Sequence, residues 1–351
     1  MLDILSDAGL VALVGMLGGI VLGLAARLGR FCTLGAIEDT LYGNNPLRLQ
    51  MWGIAIAVAI IGTFSLSALG ALDLSDTLYL AHSWNPLAHI IGGLMFGYGM
   101  ALAGNCGFGA LARLGGGDMR SFVIVLVMGL SAYIALGGPL SALRLQLFET
   151  SVWAEETASL AQLIATGLGV SGNSVGIVIG LLLLSALLLS TNLRAAPKML
   201  IWGTAVGLAV TSGWAGTAWV ARHGFDATSV VSHTFSAPIG ETMLYVMTSS
   251  GNAVSFGTGS VAGVLLGALL GSLIKGHFRW EACEDPRELR RQILGAAIMG
   301  PGAVIAVGCS IGQGMSAFSV LAISAPLTGI AIFAGAALGL RQLIVGFDRI
   351  A

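Results

Sequence analysis

Apolar residues come in runs near twenty long, divided by short polar stretches. The runs cover Ala8–Leu28, Met51–Ala71, Leu87–Asn105, Met119–Gly138, Ser174–Ser190, Met199–Val220, Val254–Ile274, Gln292–Gly308 and Phe318–Leu340. Each is about long enough to cross a bilayer as a helix. The pattern predicts an all-α polytopic membrane protein with about nine spans and short helices between them. In the long connection from Pro139 to Gly172, Ser141–Phe148 and Ala158–Leu168 are predicted as amphipathic helices lying at the interface. The connection Lys275–Arg291 mixes both charge signs and is read as solvated, with Cys283 an ordinary loop thiol.

Two of the runs look alike. Laying Cys106 on Cys309 sets an offset of 203 residues, and Gly92, Gly97 and Gly99 then meet Gly295, Gly300 and Gly302. Ala103 meets Ala306, Gly109 meets Gly312, and Ser121 meets Ser324. Each stretch reads as an apolar helix, a break at x-Cys-x-x-Gly, and a short second helix. This predicts one transmembrane domain over residues 1–351 with pseudo-repeats at about 8–138 and 199–340, joined by 139–198. A helix ahead of one cysteine and its counterpart ahead of the other cross in opposite directions. The expected fold is therefore an inverted-repeat bundle with short broken or re-entrant helices.

Composition agrees with the span map. The chain is 56% hydrophobic and 9% charged, with a mean hydropathy of +0.90, whereas a soluble domain carries about 25% charged residues. Glycine supplies 52 of 351 residues, and small residues let membrane helices approach closely. The 16 basic and 17 acidic residues nearly balance, which gives no reason to expect a nucleic acid. Alternating the connections from an outer N-terminus places 14 of the 16 basic residues inside and only Arg144 and Arg222 outside. By the positive-inside rule the N-terminus lies outside and the C-terminus in the cytoplasm. The start, MLDILSDAGL, lacks a basic n-region and is read as a retained first span.

The candidate chemistry sits at the breaks. A helix that stops within a membrane leaves carbonyls unpaired, and the next one presents free N–H groups carrying about half a positive charge. Such ends can receive an anion. Gly107, Gly109, Ser310 and Gly312 are small enough to let a ligand touch backbone there, and Ser310 and Gln313 could donate to its oxygens. Asn105 adds an amide beside the thiol of Cys106. Cys32 lies in a third turn-like stretch, GRFCTLGAIED, after the first span. A thiol in apolar surroundings stays neutral and is a weak donor and acceptor. It can hold a soft sulfur atom briefly, as conduction requires. None of Cys32, Cys106, Cys283 and Cys309 forms a C-x-x-C pair, which disfavours quinone-coupled thiol-disulfide enzymes. His82 and His89 could share a helix face but lack a third ligand, so no metal or other cofactor is expected. No P-loop is present, so no ATPase is expected.

The chain resembles the YeeE/YedE family of sulfur-compound transporters. The resemblance rests on Arg30-Phe31-Cys32 with Asp39 following, on Cys106 in LAGNCGFGALARLGGGDMRS, and on Cys309 in MGPGAVIAVGCSIGQG. It implies an hourglass-shaped inverted-repeat bundle in the bacterial inner membrane, with Cys32, Cys106 and Cys309 lining a narrow path for thiosulfate. It also implies a small cytoplasmic TusA-like sulfurtransferase as a partner. The family pattern assigns no role to Cys283. Two departures bear on the substrate: Asn105 stands where Gly-Cys is expected, and Pro301 stands inside the helix before Cys309. The alternatives are another sulfur or selenium compound as cargo, or a membrane thiol enzyme that traps persulfide.

Overall fold

The computed structural model describes residues 6–81, 85–148, 159–282 and 285–346. Cys283 and His82 lie outside them. The first stretch forms α1 (Asp7–Leu28), α2 (Thr33–Leu41), α3 (Leu47–Ala68) and the single turn α4 (Leu78–Ala81). Next come α5 (Pro86–Ala103), α6 (Gly107–Leu114), α7 (Met119–Leu136) and α8 (Ser141–Phe148). After the connection follow α9 (Leu160–Leu168), α10 (Gly172–Leu188), the turn α11 (Thr191–Arg194) and α12 (Pro197–His223). The last stretch forms α13 (Ser236–Thr248), α14 (Phe256–Ile274), α15 (Pro286–Ile305), a π-helical turn at Gly312–Ala317, and α16 (Ser324–Val345). Among the described residues no strand forms; there are only isolated bridges.

Each of the nine apolar runs contains or overlaps one long helix. Among the described residues seven spans are long and apolar enough to cross a membrane, and eight if α9 and α10 count as one. α15 falls outside that set because Arg287, Glu288, Arg290 and Arg291 crowd its first turns, while Gly295–Val304 behind them is largely buried. The chain is thus a multi-pass membrane protein. The sharp bend, 114°, lies between α9 and α10, whereas the breaks at Cys32 and Cys106 fall within the continuous apolar spans Asp7–Leu41 and Pro86–Leu114. The helices are therefore interrupted at those two cysteines without a sharp bend, and the sharp bend belongs to the α9–α10 pair.

Glycine sets how the helices meet. α5 lies against α15 and α16, α15 also against α7, α1 against α14 and α12, and α3 against α12 and α10. A Cβ on Gly99 would stand 2.6 Å from the Gly295 carbonyl oxygen, and one on Gly295 would stand 2.6 Å from that of Gly99. Gly92 and Gly302 oppose each other in the same way, at 2.7 and 2.9 Å. Gly92, early in α5, thus faces Gly302, late in α15, so the two helices run antiparallel. The offset of 203 also exchanges the members of these two pairs, which places a local twofold relation between α5 and α15. The same offset matches α2 with α13 and carries the α1–α14 contact near the α12–α3 contact. Closely packed backbones of this kind are how membrane helices associate without a hydrophobic drive between them.

Candidate functional site

Cys32 and Cys106 are helix N-caps, and Cys309 makes the same bond three residues on, just ahead of the π-helical turn whose N-cap is Ile311. The Cys32 Sγ accepts the N–H of Gly35 at 3.5 Å, opening α2. The Cys106 Sγ accepts that of Gly109 at 3.4 Å, opening α6. The Cys309 Sγ accepts that of Gly312 at 3.5 Å, at the start of the π-helical turn. In ordinary helices this place belongs to an oxygen of Ser, Thr, Asp or Asn. A sulfur cap is longer and weaker, and it leaves the thiol proton free to point at a neighbour. Two residues before each cysteine the backbone turns left-handed: Arg30 at φ 57°, Gly104 at φ 77° and Val307 at φ 53°. This reversal carries the chain from the end of one helix into the cap of the next.

The caps converge. Cys106 is buried at 1% exposure, and Phe108, two residues on, meets both Phe31, which precedes Cys32, and Phe235, whose N–H reaches the Cys309 thiol. Cys309 is also 1% exposed. Its Sγ takes a second N–H, from Phe235, at 3.4 Å and contacts Thr234 Oγ1 at 3.7 Å. Aromatic rings enclose the group. Phe31 stacks on Trp52 at 4.6 Å and meets Phe108 edge-on at 6.5 Å, and Phe108 lies 5.3 Å from Phe235.

Two cavities approach the thiols. One, of about 480 Å³, is lined by Cys32, Asn105 and Gly109 together with Arg27 near the end of α1 and Ser272 near the end of α14. The other, of about 530 Å³, is lined by Thr234 with Ala8 and Val11 at the start of α1 and Phe256 at the start of α14. The cavities therefore open at opposite ends of α1 and α14. In the first, Lys275 is held below the usual ammonium range, chiefly by partial burial and then by the nearby charges of Arg30, Arg27 and Lys198.

The other candidate residues divide. Asn105 is 1% exposed, and among the described residues neither atom of its amide has a hydrogen-bond partner. A Cβ on Gly312 would come within 2.6 Å of Thr234 Oγ1 and 2.9 Å of the Tyr79 hydroxyl, so glycine there admits both groups to the neighbourhood of Cys309. Gly107 instead makes room for the Met128 side chain, 2.6 Å from where its Cβ would be. Gln313 Nε2 is taken up by the protein: it donates to the carbonyls of Ala306 at 2.9 Å and Val307 at 3.1 Å. These are carbonyls left open where α15 stops. His89 is bound to Thr328 Oγ1 at 2.8 Å. Reading the sequence missed Thr234, Phe235, Tyr79, Arg27 and Lys275. Phe235 was within reach, because adding 203 to Cys32 lands on it.

A protein family described as sulphur transport matches residues 28–338. A relative from Spirochaeta thermophila, named thiosulfate transporter TsuA, is 26% identical over 336 residues, covering 92% of this chain and 96% of its own. A protein of the same name from Escherichia coli K12 is 26% identical over 327 residues, covering 86% of each chain.

Proposed function

The chain belongs to the sulphur-transport family, and from that premise we propose that it carries thiosulfate across the bacterial inner membrane into the cytoplasm. The similarity to two proteins named as thiosulfate transporters supports the cargo. The observation that carries the route is the convergence of the two thiol-capped helix starts at Cys32 and Cys106 with the Cys309 thiol, between two opposed cavities. Thiosulfate enters the cavity that reaches Thr234, and its terminal sulfur accepts S–H hydrogen bonds from Cys309, Cys106 and Cys32 in turn. The helix N-termini behind the caps offset the charge of the dianion. Neutral thiols bind weakly enough to release it. In this reading residues 8–138 and 199–340 are the two inverted halves. The N-terminus is outside and the C-terminus inside, where a TusA-like sulfurtransferase would take the cargo on.

The test is growth of a sulfur-starved host on thiosulfate. Cys106→Ala and Cys309→Ala, each present in the membrane at normal level, are expected to abolish it. Growth at the wild-type rate in both would end the thiol relay.

A further inference from the structure

The cavity next to Cys32 has a charge lining out of proportion to the rest of the chain. Arg27, Arg30, Arg48, Arg113 and Lys275 line it against a single carboxylate, Glu38. Arg48 is spoken for by Asp39 at 3.1 Å. Among the described residues the other four have no carboxylate oxygen within 4.0 Å, since the remaining ion pairs involve Arg120 and Arg291. Two of the four are fixed by neutral acceptors. Arg27 Nε donates to Ser272 Oγ at 2.7 Å, and Lys275 Nζ donates to the Arg27 carbonyl at 2.7 Å. Like charges gathered around one cavity, with Glu38 the one carboxylate on its lining, repel one another, and a multivalent anion among them reduces that repulsion. On the same lining lies the Asn105 amide, buried and without a partner. Its Nδ2 is a donor that no protein group among the described residues takes up.

We infer that this cavity, which Cys32 borders and Cys106 and Cys309 do not, is a second anion site that binds a doubly charged tetrahedral oxyanion such as sulfate. The four cations outside the Arg48–Asp39 pair supply the charge recognition, and Asn105 Nδ2 donates to one oxygen from the inner wall. The site holds such a dianion at the mouth of the pathway, so occupancy from this side slows turnover. The occupant has two sources, the departing cargo and an oxyanion already in the compartment. The inference uses the proposed function only to call this compartment the cytoplasm. The site itself stands on the lining.

The experiment is equilibrium binding of radiolabelled sulfate to the purified full-length protein. Sulfate lacks the soft terminal sulfur, so it reports the cavity and not the thiols. The wild type is expected to bind it saturably, and the Arg113→Gln/Lys275→Gln double variant to bind at least about tenfold more weakly. Arg113→Lys should keep most of the affinity, and thermal unfolding near wild type confirms that the variants are folded. Cys106→Ala should retain sulfate binding within about twofold while losing thiosulfate uptake, which separates failure of this site from failure of the transport reading. Unlabelled thiosulfate should displace sulfate from Cys106→Ala, identifying the departing cargo as an occupant. Sulfate loaded inside proteoliposomes should slow uptake by the wild type and not by the double variant, identifying the resident source. Absence of saturable binding in the wild type, or equal affinity in the double variant, overturns the inference. So does loss of sulfate binding in Cys106→Ala.

Discussion

At Cys309 the protein occupies its own break. The thiol there accepts two backbone N–H groups, from Gly312 and Phe235, and touches Thr234. The carbonyls freed by the broken helix are taken by Gln313. At Cys106, 203 residues earlier, the thiol takes one N–H, from Gly109, and the neighbouring amide of Asn105 is left without a partner. The same turn has thus been built twice: at Cys309 protein groups take up the thiol and the freed carbonyls and leave only the Ser310 hydroxyl without a partner, whereas at Cys106 a whole amide is left so. Buried polar groups are nearly always paired, so an exception needs a reason. A ligand that arrives at Cys106 supplies one.

Removing the two thiols gives the largest separation between the breaks. Both Cys106→Ala and Cys309→Ala should lose thiosulfate uptake in proteoliposomes, because each interrupts the relay. Their stabilities should differ. Cys309→Ala strands the N–H of Phe235, a fully buried residue, at a cost of about 1–3 kcal/mol. Cys106→Ala gives up only the bond to an N–H near an open cavity, worth roughly 0.5–1 kcal/mol. Thermal unfolding in detergent reads the difference, and equal losses would show that the closure at Cys309 is not energetic.

The two amides beside the thiols should respond with opposite signs. Gln313→Ala removes both bonds to the Ala306 and Val307 carbonyls and should destabilise by about 2 kcal/mol. Asn105→Ala removes a group that has been desolvated without compensation, and should leave stability unchanged or raise it by about 1 kcal/mol. Its effect should fall on sulfate affinity, lowered about threefold by loss of one donor. Destabilisation of both variants by similar amounts would mean that Asn105 is held by the protein after all.

Much of this arrangement could be read from the sequence. The nine apolar runs mark the long helices because lipid demands length and apolarity of any span. Glycines at matching offsets mark the α5–α15 contact because only hydrogen fits where two backbones meet at Gly99 and Gly295. The cysteines mark the breaks because a cap must lie where the helix stops. What the sequence hid were roles played by backbone. Phe235 contributes its N–H and not its ring to Cys309, so its residue type carried no signal. Gln313 was read as a donor to an oxyanion, but a broken helix leaves carbonyls nearby, and they claim it first. Lys275 reaches the Arg27 carbonyl across 248 positions of chain, a proximity that only the packing of α1 on α14 creates.

The finest distinction lies in the turns two residues ahead of the thiols. Gly104 takes φ 77° with nothing within 4 Å of where a Cβ would stand, whereas Val307 takes φ 53° at the equivalent place. A β-branched residue with positive φ is a strained exception, and such strain costs about 1–3 kcal/mol. Val307→Gly relieves it but adds about 0.5–1 kcal/mol of chain entropy to be lost on folding, so the net gain should be about 1 kcal/mol. Gly104→Ala meets no neighbour and isolates the backbone term, with a loss of about 1 kcal/mol. Uptake by Val307→Gly should stay near the wild-type level, because glycine already holds this turn before Cys106. A stabilised Val307→Gly that no longer transports would mean that strain, and not merely the turn, aims the Cys309 thiol.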